Sequence, residues 1–411
     1  MDSWSVYRLL WWLVAGAFAL QFVLRHRDDL KRLSRSSRTL FVSMVLWTFS
    51  LLLSSVASPS PLFTLVMAVA IIAVGACSLD LAIRMEKRCV EMETVVFGLV
   101  WVCVAFLGII FLAAALRPSL VYPVAGPNAS RLMGGSIASV PFVSMTAATL
   151  GLYLALTSPS VVRSLGGLIL VSLGVGAALA SQVRSSYICI MASAAVMLAG
   201  TAWLGPRKRT LGVLSLGSLS AGAVLALMLV FSQDRAAAQL QERAYAFLLR
   251  DEASLRNVSG RAEIADFLLR DTATMPLGCG YVAGPRTLLL SAGTDIGGGI
   301  VAARIGSAHN MYLEICTGAG IYSLGLLCIA FLATAARLLG AVRSTRRGRP
   351  ERMMALFFLA TLVALLVEGV VSSEAVLPFN QACSSLFLCF ATALAVDCRL
   401  PDLGMADNPT D

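Results

Sequence analysis

Apolar runs of about 20 residues recur along this chain, and a run of that length crosses a bilayer as one helix. Eleven are legible: Val6–Leu24, Thr39–Ala57, Leu62–Ile83, Thr94–Leu116, Ser136–Leu156, Leu165–Ser181, Ser185–Leu204, Leu211–Phe231, Tyr312–Leu338, Met353–Val371 and Leu377–Val396. Few folds are open to such a chain, because inside a bilayer every backbone polar group has to be bonded within the protein. Composition agrees. Of 411 residues 58% are hydrophobic and 13% charged, against about 25% charged in a soluble domain, and the mean hydropathy is +0.82. That leaves too little charge to clothe a water-soluble globule of this length, which argues against a soluble enzyme or a disordered scaffold. The expected fold class is all-α: a polytopic membrane bundle of about eleven transmembrane helices.

Charge distribution supplies the orientation. The 32 Lys and Arg exceed the 23 Asp and Glu by nine, yet no basic stripe is interleaved with stacking aromatics, so nucleic acid is not expected as a partner. Short-loop Lys and Arg stay on the cytoplasmic side. Twenty lie in 25–38, 84–93, 157–164, 205–210, 337–352 and the C-terminal segment, against four (Arg8, Arg117, Arg131, Arg184) on the alternate flanks. The N-terminus is therefore expected outside and the C-terminus in the cytoplasm. The first run is not read as a cleaved signal, because Met-Asp-Ser-Trp-Ser carries no positive charge and the basic cluster follows the run.

The remaining eight Arg sit in one long segment, 232–309. On this count it is extracytoplasmic and the only place for a sizeable polar structure. The chain divides into a membrane bundle (1–231), this loop (232–309) and a second membrane bundle (310–411). Within the loop Ala236–Arg250 reads as an amphipathic helix, fit either to lie on the bilayer or to pack on another loop helix. A second short helix fits Arg261–Asp271, ended by Pro276-Leu-Gly-Cys-Gly280. Ser291–Gly306 with Gly297-Gly-Gly299 reads as a lid or linker, since no P-loop Lys follows the glycines.

The chain has two His. His26 lies among the inner basic residues and reads as a solvated loop residue. His309 stands where the long loop meets the ninth run, in Ser307-Ala-His-Asn-Met-Tyr-Leu-Glu314. Imidazole is suited to proton transfer near neutral pH, and a capping or interfacial role is the other reading. Asn310 and Glu314, four apart, put two polar groups on one helix face at the membrane boundary.

Arg261 shares a helix stripe with Ile264, Ala265 and Leu268 and is thereby aimed at the protein body. There a guanidinium pairs with phosphate through two charge-assisted bonds, or with a loop carboxylate. Arg184, in Ser181-Gln-Val-Arg-Ser-Ser186, stands at the outer membrane edge, where Arg faces a cavity or partner, or snorkels. Two outer Arg and one His, with no Asp-x-Asp pair or His/Cys cluster outside, suggest metal-free handling of a phosphate-bearing lipid. The ten Cys lie mostly in apolar runs without metal spacing and read as small apolar residues.

Taken together these segments resemble the O-antigen ligase and O-antigen polymerase superfamily of bacterial envelope glycosyltransferases. The resemblance rests on His309-Asn-Met-Tyr-Leu313 after a large late loop, on Gly260-Arg261 opening a loop helix followed by Pro276-Leu-Gly-Cys-Gly280, and loosely on Arg184-Ser185. The chain departs from the pattern at Gly318 and Ser323, which flank a retained Gly320. Ala265 stands where an aromatic is common, and the Gly-x-Gly comes one residue early. These departures bear on packing and acceptor fit more than on chemistry.

The resemblance implies transfer of a glycan from undecaprenyl pyrophosphate to an acceptor hydroxyl, on lipid A core or on a growing polysaccharide. It implies no metal and no cofactor, and places the reaction on the outer face of the bacterial inner membrane. In that reading His309 is catalytic, Arg261 and Arg184 bind pyrophosphate, and Asn310, Glu314 and Gly260 support them. Membrane lipids and the lipid-linked glycan donor are the expected partners. A polymerase of the same superfamily is the nearer alternative. The rival from another class is a lipid-linked oligosaccharide transporter or flippase, which favours mid-membrane charge, broken helices and paired repeats.

Overall fold

The computed structural model describes residues 14, 17–19, 21–22, 24–87, 91–120, 140–158, 160–181, 183–204, 261–272, 274–291, 308, 310–344, 349–370, 372, 374–377 and 381–397. Among these residues there are helices and no strand. Among them eight helices are long and apolar enough to cross a membrane: Arg38–Ala57, Pro61–Glu86, Glu93–Leu116, Val140–Thr157, Val161–Ser181, Ser185–Leu204, Ile321–Arg343 and Pro350–Gly369. Ala382–Val396 is a shorter apolar helix. The protein is an all-α, multi-pass membrane bundle. Most of Val6–Leu24, all of Leu211–Phe231 and the Ala236–Arg250 helix lie outside the described residues.

In chain order the helices are α1 (Arg27–Ser36), α2 (Arg38–Leu53), α3 (Pro61–Glu86), α4 (Met92–Leu116), α5 (Val140–Thr157), α6 (Val161–Ser181) and α7 (Arg184–Leu204). After them come α8 (Arg261–Thr272), α9 (Ala283–Ser291), α10 (Met311–Ala319), α11 (Ile321–Arg343), α12 (Arg349–Gly369) and α13 (Gln381–Asp397). Pro61 opens α3, where its missing N–H costs nothing. Small residues let α5 and α6 approach closely. A Cβ on Gly151 would lie 2.5 Å from the Gly167 carbonyl, and one on Gly167 would lie 2.6 Å from the Gly151 carbonyl. The core centres on α12 and α13, where Phe357, Phe358, Phe387 and Phe390 are fully buried. Phe390 stacks on Phe331 of α11 at 6.1 Å, and Phe387 meets Trp47 of α2 at 6.0 Å.

Three expectations are corrected. The basic segment 25–38 is helical over Arg27–Ser36 rather than a plain loop. His26 is half-buried and paired rather than freely solvated: its side chain is 24% exposed, with Nδ1 3.1 Å from Asp29 and Nε2 3.8 Å from Asp80. The run Tyr312–Leu338 is two helices, broken at Gly320, which adopts φ +93° between α10 and α11. Hydropathy cannot register that break, because the sequence is apolar on both sides of it.

The bundle has two distinct ends. Lys87 Nζ reaches Asp29 at 2.8 Å, Arg32 Nε reaches Glu86 at 2.9 Å, and Arg337 donates to Ser37. These contacts gather the end of α3, the start of α2 and the far part of α11 at one basic end. Ser54, Ser58, Gly320 and Val376 lie at the opposite end of the same helices, where residues 276–281 meet residues 317–321.

Candidate active site at the capped end

Three short helices and one glycine turn close the end opposite the basic one. In α8 two members of the expected stripe, Ile264 and Leu268, are buried and Ala265 is half-buried, while Asp266, Leu269 and Arg270 face outward. Ile264 and Leu268 pack with Leu289 of α9 and with Ala308, the residue before His309, joined by Phe267, Leu288 and Leu313. Thus the first turns of the helix that Arg261 opens and the approach to the His-Asn run share one apolar cluster. Across it, the Thr272 and Thr317 hydroxyls meet at 3.1 Å.

Pro276-Leu-Gly-Cys-Gly280 locks this cap to the broken helix. The Cys279 N–H donates to Thr317 O at 2.9 Å, that of Gly280 to Gly318 O at 2.8 Å, and that of Ile321 to Pro276 O at 3.2 Å. No side chain fits in the lock. A Cβ on Gly278 (φ +78°) would lie 2.5 Å from the Gly318 carbonyl, and one on Gly320 would lie 2.3 Å from the Pro276 carbonyl. The departure at Gly318 belongs to this packing, since its Cβ would come within 3.2 Å of Tyr281 Cα. Ser323 accepts a hydrogen bond from Ser50 Oγ at 2.8 Å and so ties α11 to α2.

Tyr281 then anchors the turn in the bundle. Its ring is buried, its N–H donates to Ser54 Oγ at 3.0 Å, and its hydroxyl donates to the Val376 carbonyl. Burial pushes the phenol well above its ordinary range. Val282 follows at φ +62°, a conformation costly for a β-branched residue. It redirects the chain into α9, a helix that the sequence reading missed although Pro285 in its first turn is a recognisable start signal. Arg286 is exposed on α9 and adds a cation to the cap.

Asn310 caps α10. Its Oδ1 accepts from the N–H groups of Tyr312 at 2.9 Å and Leu313 at 3.0 Å, and its Nδ2 donates to Val370 O at 2.8 Å. Glu314 is buried, and its Oε2 accepts from the Ala308 N–H at 2.9 Å. These two side chains do not display a shared polar face; each holds backbone, on either side of position 309. His309 and Gly260 lie outside the described residues. Arg261 and Arg184 are placed by backbone alone, as the first residues of α8 and α7. The glycine stretch 297–299 is likewise outside.

The last turn of α12 joins the parts. Leu366 O accepts from Tyr312 OH at 3.0 Å, Val370 O holds Asn310, and a Cβ on Gly369 would lie 2.3 Å from Met311 Cε. Between these anchors sits Glu368, a buried acid level with the first turns of α7, the helix that Arg184 opens. Register places it there: Gly200 packs against Leu356, so the antiparallel α7 and α12 bring the start of α7 to the end of α12. Sequence reasoning passed over Glu368, although an acid inside an apolar run is the signal that finds such a residue.

Among the described residues no group of three His, Cys, Asp or Glu is placed to hold a metal ion. Comparison with protein-family models gives no match, and comparison with curated proteins gives none either. These comparisons show no family, and function is a proposal.

Proposed function

We propose that this protein is a membrane glycosyltransferase that moves a glycan from undecaprenyl pyrophosphate to an acceptor hydroxyl at its capped, extracytoplasmic end. The observation that carries this reading is the shared cluster of Ile264, Leu268, Leu289 and Ala308. It ties the helix that opens with Arg261 to the residue preceding His309. In the same reading α12 ties that block to the helix that opens with Arg184. Arg261 and Arg184 hold the pyrophosphate, and His309 takes the proton from the attacking hydroxyl. That oxygen attacks the anomeric carbon, the bond from carbon to phosphate oxygen breaks, and undecaprenyl pyrophosphate leaves with the electron pair. Asn310 and Glu314 hold the backbone around the base. Ligase-type transfer to lipid A core and polymerase-type transfer to a growing glycan use the same chemistry and differ in acceptor.

One observation favours a second reading. A helix broken at Gly320 and the buried acids Glu314 and Glu368 are also features of transporters. Turnover separates the two. Purified, reconstituted protein given a lipid-linked glycan and an acceptor is expected to form a new glycosidic product. Arg261→Ala is expected to lose tenfold to a hundredfold or more of that rate, since a charge-assisted bond is worth about 1.5–3 kcal/mol. Arg261→Lys recovers part of it. Movement of the lipid-linked glycan across the bilayer without product formation overturns the reading. So does full activity in Arg261→Ala.

A further inference from the structure

The ion pairs at the basic end are built with the acid inside. Arg32 Nε meets Glu86 at 2.9 Å with side chains 56% and 7% exposed, and Arg84 Nε meets Asp80 at 2.6 Å with 59% and 21%. Lys87 likewise covers Asp29 at 2.8 Å, and His26 lies between Asp29 and Asp80. Residues 25–38 and 80–87 hold eight Lys or Arg and four Asp or Glu. Three of those acids are the covered ones, and the fourth, Asp28, stands 3.5 Å from Lys31. Arg25, Arg27, Arg35 and Arg38 are exposed, while Leu33 is buried and Leu30 half-buried, so α1 is fixed to the bundle by its apolar side. With each acid paired to a Lys or Arg, the uncompensated charge on the outward surface is that of Arg25, Arg27, Arg35 and Arg38.

What lies next to that surface identifies its partner. α2 begins at Arg38, and within about a turn its exposed side chains become apolar: Val42, Val45, Leu46 and Phe49. A basic ledge continuous with an apolar band fits a molecule with a phosphate head and acyl tails. No exposed aromatic interrupts α1 to stack a base, as single-stranded nucleic acid requires.

We propose that α1 and the end of α3 form a binding surface for anionic phospholipid headgroups. The phosphate is held by the exposed Arg of α1 and Arg38, with the acyl chains against the first turns of α2. Charge-assisted bonds to phosphate hold the head, and the attraction falls with salt. The four acids are each met by a Lys or Arg, so the exposed Arg25, Arg27, Arg35 and Arg38 remain to hold phosphate. This surface is independent of the proposed glycan chemistry at the opposite end.

The test uses the full-length protein purified into nanodiscs of phosphatidylcholine, with or without phosphatidylglycerol. The readout is the phospholipid retained after transfer to detergent, measured by native mass spectrometry. Wild type is expected to retain phosphatidylglycerol in preference to phosphatidylcholine, and to release it at high salt. The triple variant Arg27→Gln, Arg35→Gln, Arg38→Gln is expected to lose the preference, by roughly fivefold for each charge removed. Arg27→Gln alone gives the same direction if the triple variant is poorly folded. Equal retention of the two lipids by wild type overturns the proposal. Unchanged phosphatidylglycerol retention in a folded variant does so as well.

Discussion

The two ends of this bundle are held by opposite means. At the basic end, long exposed cations reach over largely covered acids: Lys87 to Asp29, Arg84 to Asp80, Arg32 to Glu86. At the capped end, backbone meets backbone through Gly278, Gly280, Gly318 and Gly320, with Tyr281 buried behind them. Such pairs tolerate error, because the exposed cation can move and water can replace it. A glycine lock does not, because even one added methyl group meets a carbonyl. The end proposed to hold a reaction geometry is the intolerant one.

The contrast breaks most readily at Gly320. Gly320→Ala adds a methyl 2.3 Å from the Pro276 carbonyl at φ +93°. It should destabilise the protein by about 3 kcal/mol, read as a lowered thermal midpoint and loss of the cap's protection from proteolysis. Gly325→Ala, one turn along α11 with nothing within 4 Å, should be neutral or gain up to about 1 kcal/mol. Equal effects at the two positions would remove the lock from the account.

Tyr281→Phe sharpens the same side. It deletes the bond to Val376 O and leaves a buried carbonyl unpaired, at a cost of about 1–3 kcal/mol. Tyr281 also sets an alkaline limit. Its folded pKa is raised by burial, so its contribution is fully present below the unfolded value near 10. That contribution is lost progressively as pH rises above it. Denaturation midpoints measured across that range should fall more steeply for wild type than for Tyr281→Phe.

On the basic side, Asp29→Asn should cost less than about 1 kcal/mol and vanish in high salt. Hydrogen bonding from Lys87, and then from His26, holds the Asp29 carboxyl below its ordinary 3.8. Its contribution is therefore present above that pH and lost as pH falls through the lower folded value. An Asp29→Asn loss as large as that of Gly320→Ala would erase the difference between the ends.

How far the sequence reached follows the same division. Apolar runs announced the spans closely: Ser185–Leu204 is the observed segment, and Thr94–Leu116 falls within Glu93–Leu116. Run length and hydropathy carry that information directly. The α8 helix was legible from the Ile264 and Leu268 stripe and ends at Thr272. The break at Gly320 was not, because a glycine in an apolar run does not announce its positive φ, and the carbonyl that takes the Ile321 N–H comes from residue 276. The roles of Asn310 and Glu314 were misjudged as a shared helix face for a related reason. Asn310 stands outside the helix as its cap, so i, i+4 spacing does not describe where the two side chains go. Glu368 was hidden by the opposite error: a single acid barely moves a hydropathy average. His26 looked solvated because the carboxylate of Asp80 lies 54 positions away in sequence.

The most direct test of the central claim, that the capped end performs glycosyl transfer with His309 as base, is the transfer rate against pH for reconstituted wild type and His309→Ala. An imidazole near its ordinary pKa of about 6.5 accepts protons when neutral, so wild-type rate should fall as pH drops through that region. His309→Ala should lose about 10²–10⁴-fold, with donor binding retained and the acid limb gone. A loss below about tenfold, or an acid limb unchanged in the variant, contradicts the account.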